Sequence, residues 1–122
     1  MSKNKLLIID DDLGFSLMVA DYFKSQGYQV STADTMDQAI RIYNRERQKV
    51  VLLDFNMPFV TGEKLLPLLQ EINPEVRAIV VTGYIKEEVE EKFKGLGYFA
   101  YFEKNSMSLE GLKDKVEEAL SY

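Results

Sequence analysis

A chain of 122 residues has the size of one domain and is long enough to bury a substantial core. Its 20 acidic residues outnumber 15 basic ones without any basic cluster, so the net charge of −5 argues against direct nucleic-acid binding. It contains neither cysteine nor histidine, which excludes disulfides, thiol chemistry, histidine triads, histidine zinc sites and a phosphohistidine of its own.

In chain order, Lys5–Ile9 reads as a short apolar strand. It turns acidic at Asp10 too soon for a signal peptide, and no run approaches the ~20 apolar residues of a membrane span, so a cytoplasmic chain without membrane contact is expected. Phe15, Met18, Val19, Tyr22 and Phe23 fall on one helical stripe, closed by Gly27 at a C-cap. Tyr28–Ala33 reads as a second strand. Thr35 to Gln38 has the capping-box pattern, and Met36, Ala39, Ile40 and Tyr43 follow at helical spacing. Val50–Leu53, apolar without alternation, predicts a strand buried on both faces. A third helix is expected from Gly62 to Ile72, bent or shortened by Pro67 and ending near Asn73-Pro74. Ala78–Thr82 reads as the fourth strand, Ile85, Val89, Phe93 and Leu96 as the next helical stripe, and Tyr98–Phe102 as the fifth strand. Leu109, Leu112, Val116, Ala119 and Leu120 mark the last helix. Strands alternating with helices throughout predict an α/β fold with a parallel sheet covered on both faces.

Chemistry in such a fold sits at the carboxyl ends of the strands. The first strand ends in Asp10, Asp11 and Asp12, the third in Asp54, the fourth in Thr82-Gly83 and the fifth in Glu103-Lys104. With the first and third strands adjacent, Asp10, Asp11 and Asp54 crowd together. Three neighbouring carboxylates repel and hold protons unless a cation meets them, and a hard divalent ion such as Mg2+ suits oxygen donors. Helix capping alone accounts for Asp12 but not for Asp54.

The stretches LLIIDDD at 6–12, DFNMPFVTG at 54–62, VVTG at 80–83 and YFEK at 101–104 occur in order, each at a strand end. With them the chain resembles, over its whole length, the receiver domain of two-component response regulators. The resemblance implies one receiver domain over residues 1–122, a doubly wound, flavodoxin-like, five-stranded parallel sheet of order 2-1-3-4-5, and helices on both faces. It implies that Asp54 takes a phosphoryl group from the phosphohistidine of a sensor histidine kinase or histidine phosphotransfer protein. Asp10 and Asp11 then hold Mg2+ together with Asp54 and the Asn56 carbonyl, Thr82 bonds the phosphoryl group, Lys104 pairs with it, and Tyr101 is a rotating switch. The implied role is signalling rather than turnover of a separate substrate, with a downstream effector or output domain as partner and homodimerisation on activation. The glutamates at 87, 88, 90 and 91 favour a basic or apolar partner over nucleic acid.

Two alternatives come from other classes. Haloacid-dehalogenase-like phosphohydrolases also open with a strand ending in D-x-D, which makes Asp10 the nucleophile; Gly14 departs from that motif, no later acidic motif follows Lys104, and Asp54 is left unexplained. A receiver-shaped adaptor independent of phosphorylation is the other, and the intact acidic set argues against it. The match of Gly95 to Ala100 to G-x-G-x-x-A lies between a helix and a strand, the reverse of the order dinucleotide binding needs. Where the receiver family has proline after the lysine, this chain has Asn105. A cis non-proline bond costs about 3 kcal/mol, so a trans bond and a less firmly placed Lys104 are expected. Gly83 is expected to leave space beside Thr82, Tyr84 to narrow access there, and Met57-Pro58 to turn the chain away from Asp54.

Overall fold

The computed structural model describes residues 4–54 and 61–121. Its elements are β1 (Lys5–Ile9), α1 (Leu13–Ser25), β2 (Gln29–Ala33), α2 (Met36–Glu46), β3 (Val50–Leu53), α3 (Gly62–Ile72), β4 (Arg77–Thr82), α4 (Lys86–Lys92), β5 (Ala100–Glu103) and α5 (Leu109–Leu120). The strands form one sheet of order β2-β1-β3-β4-β5, and every pairing is parallel.

The pleat explains why the central strands carry no polar alternation. Leu7, Ile9, Val51 and Leu53 point into a core shared with Tyr43, Leu65, Leu66 and Leu69 from α2 and α3. Leu6, Ile8, Val50 and Leu52 point the other way, into a core shared with Val19 and Phe23 of α1 and Leu112 and Val116 of α5. Successive residues thus face opposite layers, and both layers are apolar.

Local signals act at the helix ends. Asp12 caps α1, its carboxylate accepting from the Phe15 N–H at 3.1 Å, and past the C-cap Gln26 the chain turns at Gly27 with φ +91°. Thr35 caps α2 by accepting from the Gln38 N–H at 3.2 Å. The Gln38 side chain reaches back one residue further than a capping box, accepting from the Asp34 N–H at 3.0 Å. Pro67 does not shorten α3, which runs through to Ile72. Fully buried Leu65, Leu66 and Leu69 flank the proline, and this packing outweighs one missing backbone bond.

Three expectations need correction. Met18 is 49% exposed, and the buried stripe of α1 runs through Ser16, Val19, Ala20 and Phe23. α4 has only seven residues. Ile85 is its N-cap and 54% exposed, so only Val89 and Phe93 of that stripe are buried. β5 starts at Ala100, two residues later than its aromatic run suggests. Among the described residues no helix is long and apolar enough to cross a membrane.

Candidate functional site

Thr82 is the last residue of β4, and Asp10, Asp54 and Lys104 are held by the sheet just past the ends of their strands. The Asp10 N–H donates to the Ala33 carbonyl at 3.0 Å, the Asp54 N–H to Ile9 at 2.9 Å and the Lys104 N–H to Thr82 at 2.7 Å. Each extends a ladder by one residue beyond the last paired position of its neighbour. Parallel register places Ile9 beside Leu53, so Asp10 and Asp54 leave adjacent strands side by side.

Asp10, Asp11 and Asp54 each offer a carboxylate oxygen, and these atoms lie within 4.8 Å of one another. Asp10 and Asp54 are buried, whereas Asp11 is exposed. A set of hard oxygen donors at this spacing fits a hard divalent cation. The carboxylate of Asp10 accepts from the Asp12 N–H at 2.9 Å and from Lys104 Nζ at 2.8 Å. The same Nζ stands 3.6 Å from Asp54 Oδ2 and 4.5 Å from the centre of the Phe15 ring. Burial is the main cause pushing the Asp10 carboxyl up to about 6, and the Asp54 charge adds to it. The Lys104 and Asp12 donors oppose that shift without cancelling it. Burial works to lower the Lys104 pKa, but its bond to Asp10 and the charges of Asp54, Asp10 and Asp12 leave it raised. Lys104 therefore stays an ammonium that offsets carboxylate repulsion.

Thr82 is buried, and its Oγ1 accepts from the Tyr84 N–H at 3.4 Å. The Tyr101 hydroxyl donates to the Tyr84 carbonyl, and Tyr101 packs partly buried against the α2–α3 core. An open cleft of about 320 Å3 joins the parts, lined by Asp11, Asp54, Thr82, Tyr84 and Lys104 among others. Among the described residues, a Cβ on Gly83 meets nothing within 4 Å, so no described side chain fills the space beside Thr82.

The structure brings together Asp10, Asp11, Asp54, Thr82 and Lys104, and links Tyr101 to them through Tyr84. Asn56 and Met57-Pro58 lie outside the described residues. No cis peptide occurs among the described residues, as expected for Lys104-Asn105. Lys104 is held more firmly than the missing proline suggests. The Ser106 N–H closes a turn onto the Glu103 carbonyl at 3.1 Å, and two carboxylates and an aromatic ring meet the ammonium. That ring is the feature sequence reasoning missed, since no motif links Phe15 to Lys104 across the chain.

Residues 6–117 match the family model of the response regulator receiver domain, and the chain belongs to that family of two-component signalling proteins. It is 31% identical over 120 residues to the sporulation initiation phosphotransferase F of Bacillus subtilis, covering 98% of this chain and 96% of that protein. It is 32% identical over 79 residues to the transcriptional regulatory protein GlrR of Escherichia coli, covering 65% of this chain but only 18% of that larger protein. Among solved structures, a CheY-like receiver domain protein of Methanospirillum hungatei superposes with a TM-score of 0.85 at 27% identity over 98% of both chains. A two-component response regulator of Clostridium difficile reaches 0.90 at 19% identity over 98% of this chain and 97% of that one, a likeness of fold alone. Receiver domains interact with histidine kinases and output domains and bind Mg2+ at an acidic pocket. The family assignment favours neither the phosphohydrolase nor the adaptor alternative.

Proposed function

We propose that Asp54 is the phosphoacceptor of this receiver domain, taken as residues 1–122. The observation that carries the reading is a carboxylate buried at a strand end, in an open cleft, with an ammonium 3.6 Å away. An Asp54 oxygen attacks the phosphorus of a partner's phosphohistidine, the new O–P bond forms as the P–N bond breaks, and the freed imidazole nitrogen takes up a proton. Phosphoryl transfer asks mainly for positioning and charge stabilisation. Lys104 pairs with the phosphoryl oxygens, and the Thr82 hydroxyl donates to one of them. Asp10 and Asp11, with Asp54 and the Asn56 carbonyl, are the residues to hold Mg2+, which supplies positive charge against the carboxylates and the incoming group.

A kinase or phosphotransfer protein as donor is supported by the exposed apolar residues Leu13, Leu17 and Met18 of α1. On phosphorylation, Thr82 exchanges its bond from the Tyr84 N–H for one to the phosphoryl group, and Tyr101 moves inward with Tyr84. This remodels the α4–β5–α5 surface toward an effector, an output domain or a second copy of the chain. The reading carries with it a cytoplasmic signalling role rather than turnover of a separate substrate.

Incubation with acetyl phosphate and Mg2+ should add one acid-stable, base-labile phosphoryl group, absent in Asp54→Asn. Label that persists in Asp54→Asn but vanishes in Asp10→Asn would overturn the assignment.

A further inference from the structure

We propose that Phe15 is a positioning residue for Lys104, its ring face seating the ammonium at the acidic cleft within reach of Asp54. The inference rests on the reading of Asp54 as phosphoacceptor and adds a residue to it.

Lys104 is anchored at one end only. Its backbone is fixed by the N–H bond to Thr82, but four methylenes separate that anchor from the charge, and a lysine ammonium has no preferred direction of its own. The nearer carboxylate, Asp10 at 2.8 Å, competes for it against Asp54 at 3.6 Å. Asn105 rather than proline follows, so no pyrrolidine ring fixes the backbone there. A contact of different chemistry stands on the same ammonium. The Phe15 ring centre lies 4.5 Å from Nζ, well inside the ~6 Å over which an aromatic face attracts a cation.

Phe15 is itself well placed for such a task. It is the third residue of α1, its N–H is bonded to the capping carboxylate of Asp12, and it packs against the α1–α5 core. The ring is therefore a fixed wall, whereas the two carboxylates change their charge balance as phosphate arrives. Attraction to a ring face varies gently with lateral position, so Nζ can pass from Asp10 toward a phosphoryl oxygen on Asp54 while keeping the ring. Leucine in its place would fill similar volume and supply no such attraction.

Phe15→Leu and Phe15→Tyr separate bulk from ring face. In the wild type and Phe15→Tyr, ring current should shift the NMR resonances of the Lys104 ε-methylene protons upfield; in Phe15→Leu they should return to ordinary lysine values. With acetyl phosphate as donor, so that docking of a kinase plays no part, labelling of Asp54 should slow about five-fold in Phe15→Leu and recover in Phe15→Tyr. In a Lys104→Met background, Phe15→Leu should cost nothing further. Unchanged labelling and lysine shifts in Phe15→Leu, or an equal slowing with Lys104→Met, would overturn the inference while the wild type still labels. A wild type that takes no label overturns the phosphoacceptor reading and the role of Phe15 with it.

Discussion

Tyr43 offers a test in which neutral and alkaline conditions give different answers. It is fully buried on α2, and its hydroxyl donates to the Gln48 carbonyl at 2.7 Å while accepting from Asn73 Nδ2 at 3.2 Å. One oxygen thus ties together α2, the approach to β3 and the C-cap of α3. At neutral pH, Tyr43→Phe leaves those partners unpaired and should cost about 1–3 kcal/mol. Burial pushes the phenol up to about 12, with the Asn73 bond and the Arg47 charge only partly opposing it. The folded state therefore favours the neutral phenol. Its contribution is fully present below the unfolded pKa of 10.0 and is lost as pH rises through about 12. Two units correspond to about 3 kcal/mol, of which about half is lost by pH 11. Urea unfolding of both proteins between about pH 7 and pH 11 measures the difference, and the other titrating groups cancel in it. The wild-type advantage should hold to about pH 9 and then shrink. Parallel loss in both proteins, or equal stability at neutral pH, would refute the argument.

The acidic site should make Mg2+ a stabilising ligand by mass action, so millimolar Mg2+ should raise the melting temperature and Asp11→Ala should remove most of that rise; a melting temperature indifferent to Mg2+ contradicts the metal assignment. Tyr84 lines the cleft beside Thr82, and Tyr84→Ala should admit water and speed loss of the phosphoryl group severalfold, measured as decay of label after the donor is removed. Beryllofluoride, as a mimic of the acyl phosphate, should shift NMR resonances from Thr82 through Lys104. Thr82→Ala should confine those shifts to the surroundings of Asp54, and a silent Tyr101 in the wild type would leave the domain a phosphate carrier without a switch.

The sequence was most readable where one physical signal acted alone. Val50–Leu53 is delimited correctly because two apolar layers leave no polar position in it, and α3 because Asn73-Pro74 ends it. Elements failed where tertiary packing decided. Tyr98 and Phe99 look like strand residues, yet Tyr98 spends its ring on Phe93, edge to face at 5.7 Å. Leu96 leans onto the α2–α3 core from a segment whose glycines 95 and 97 adopt positive φ, which ends α4 early. The carboxylates and Thr82 were legible because costly residue types stand at strand ends. Phe15 was not, since an aromatic on a helical stripe reads as core, and only the fold brings α1 against the end of β5.

The three backbone bonds from Asp10, Asp54 and Lys104 to neighbouring strands make these residues the topmost rungs of the sheet. Their amides should rank with the sheet interior in resistance to hydrogen exchange, although an open cleft lies against Asp54 and Lys104. On the proposed reading, an acceptor carboxylate fixed to that degree cannot signal by moving its own main chain, so information must leave through side chains and through the segments between strands. The same bonds make the site intolerant of length changes in a way that point substitutions do not reveal. One residue inserted or lost within β3 turns the Asp54 side chain toward the opposite apolar layer, and no change of side chain elsewhere restores it. Changes of chain length should therefore be tolerated only in the connections between the elements, where they leave the strand ends in register.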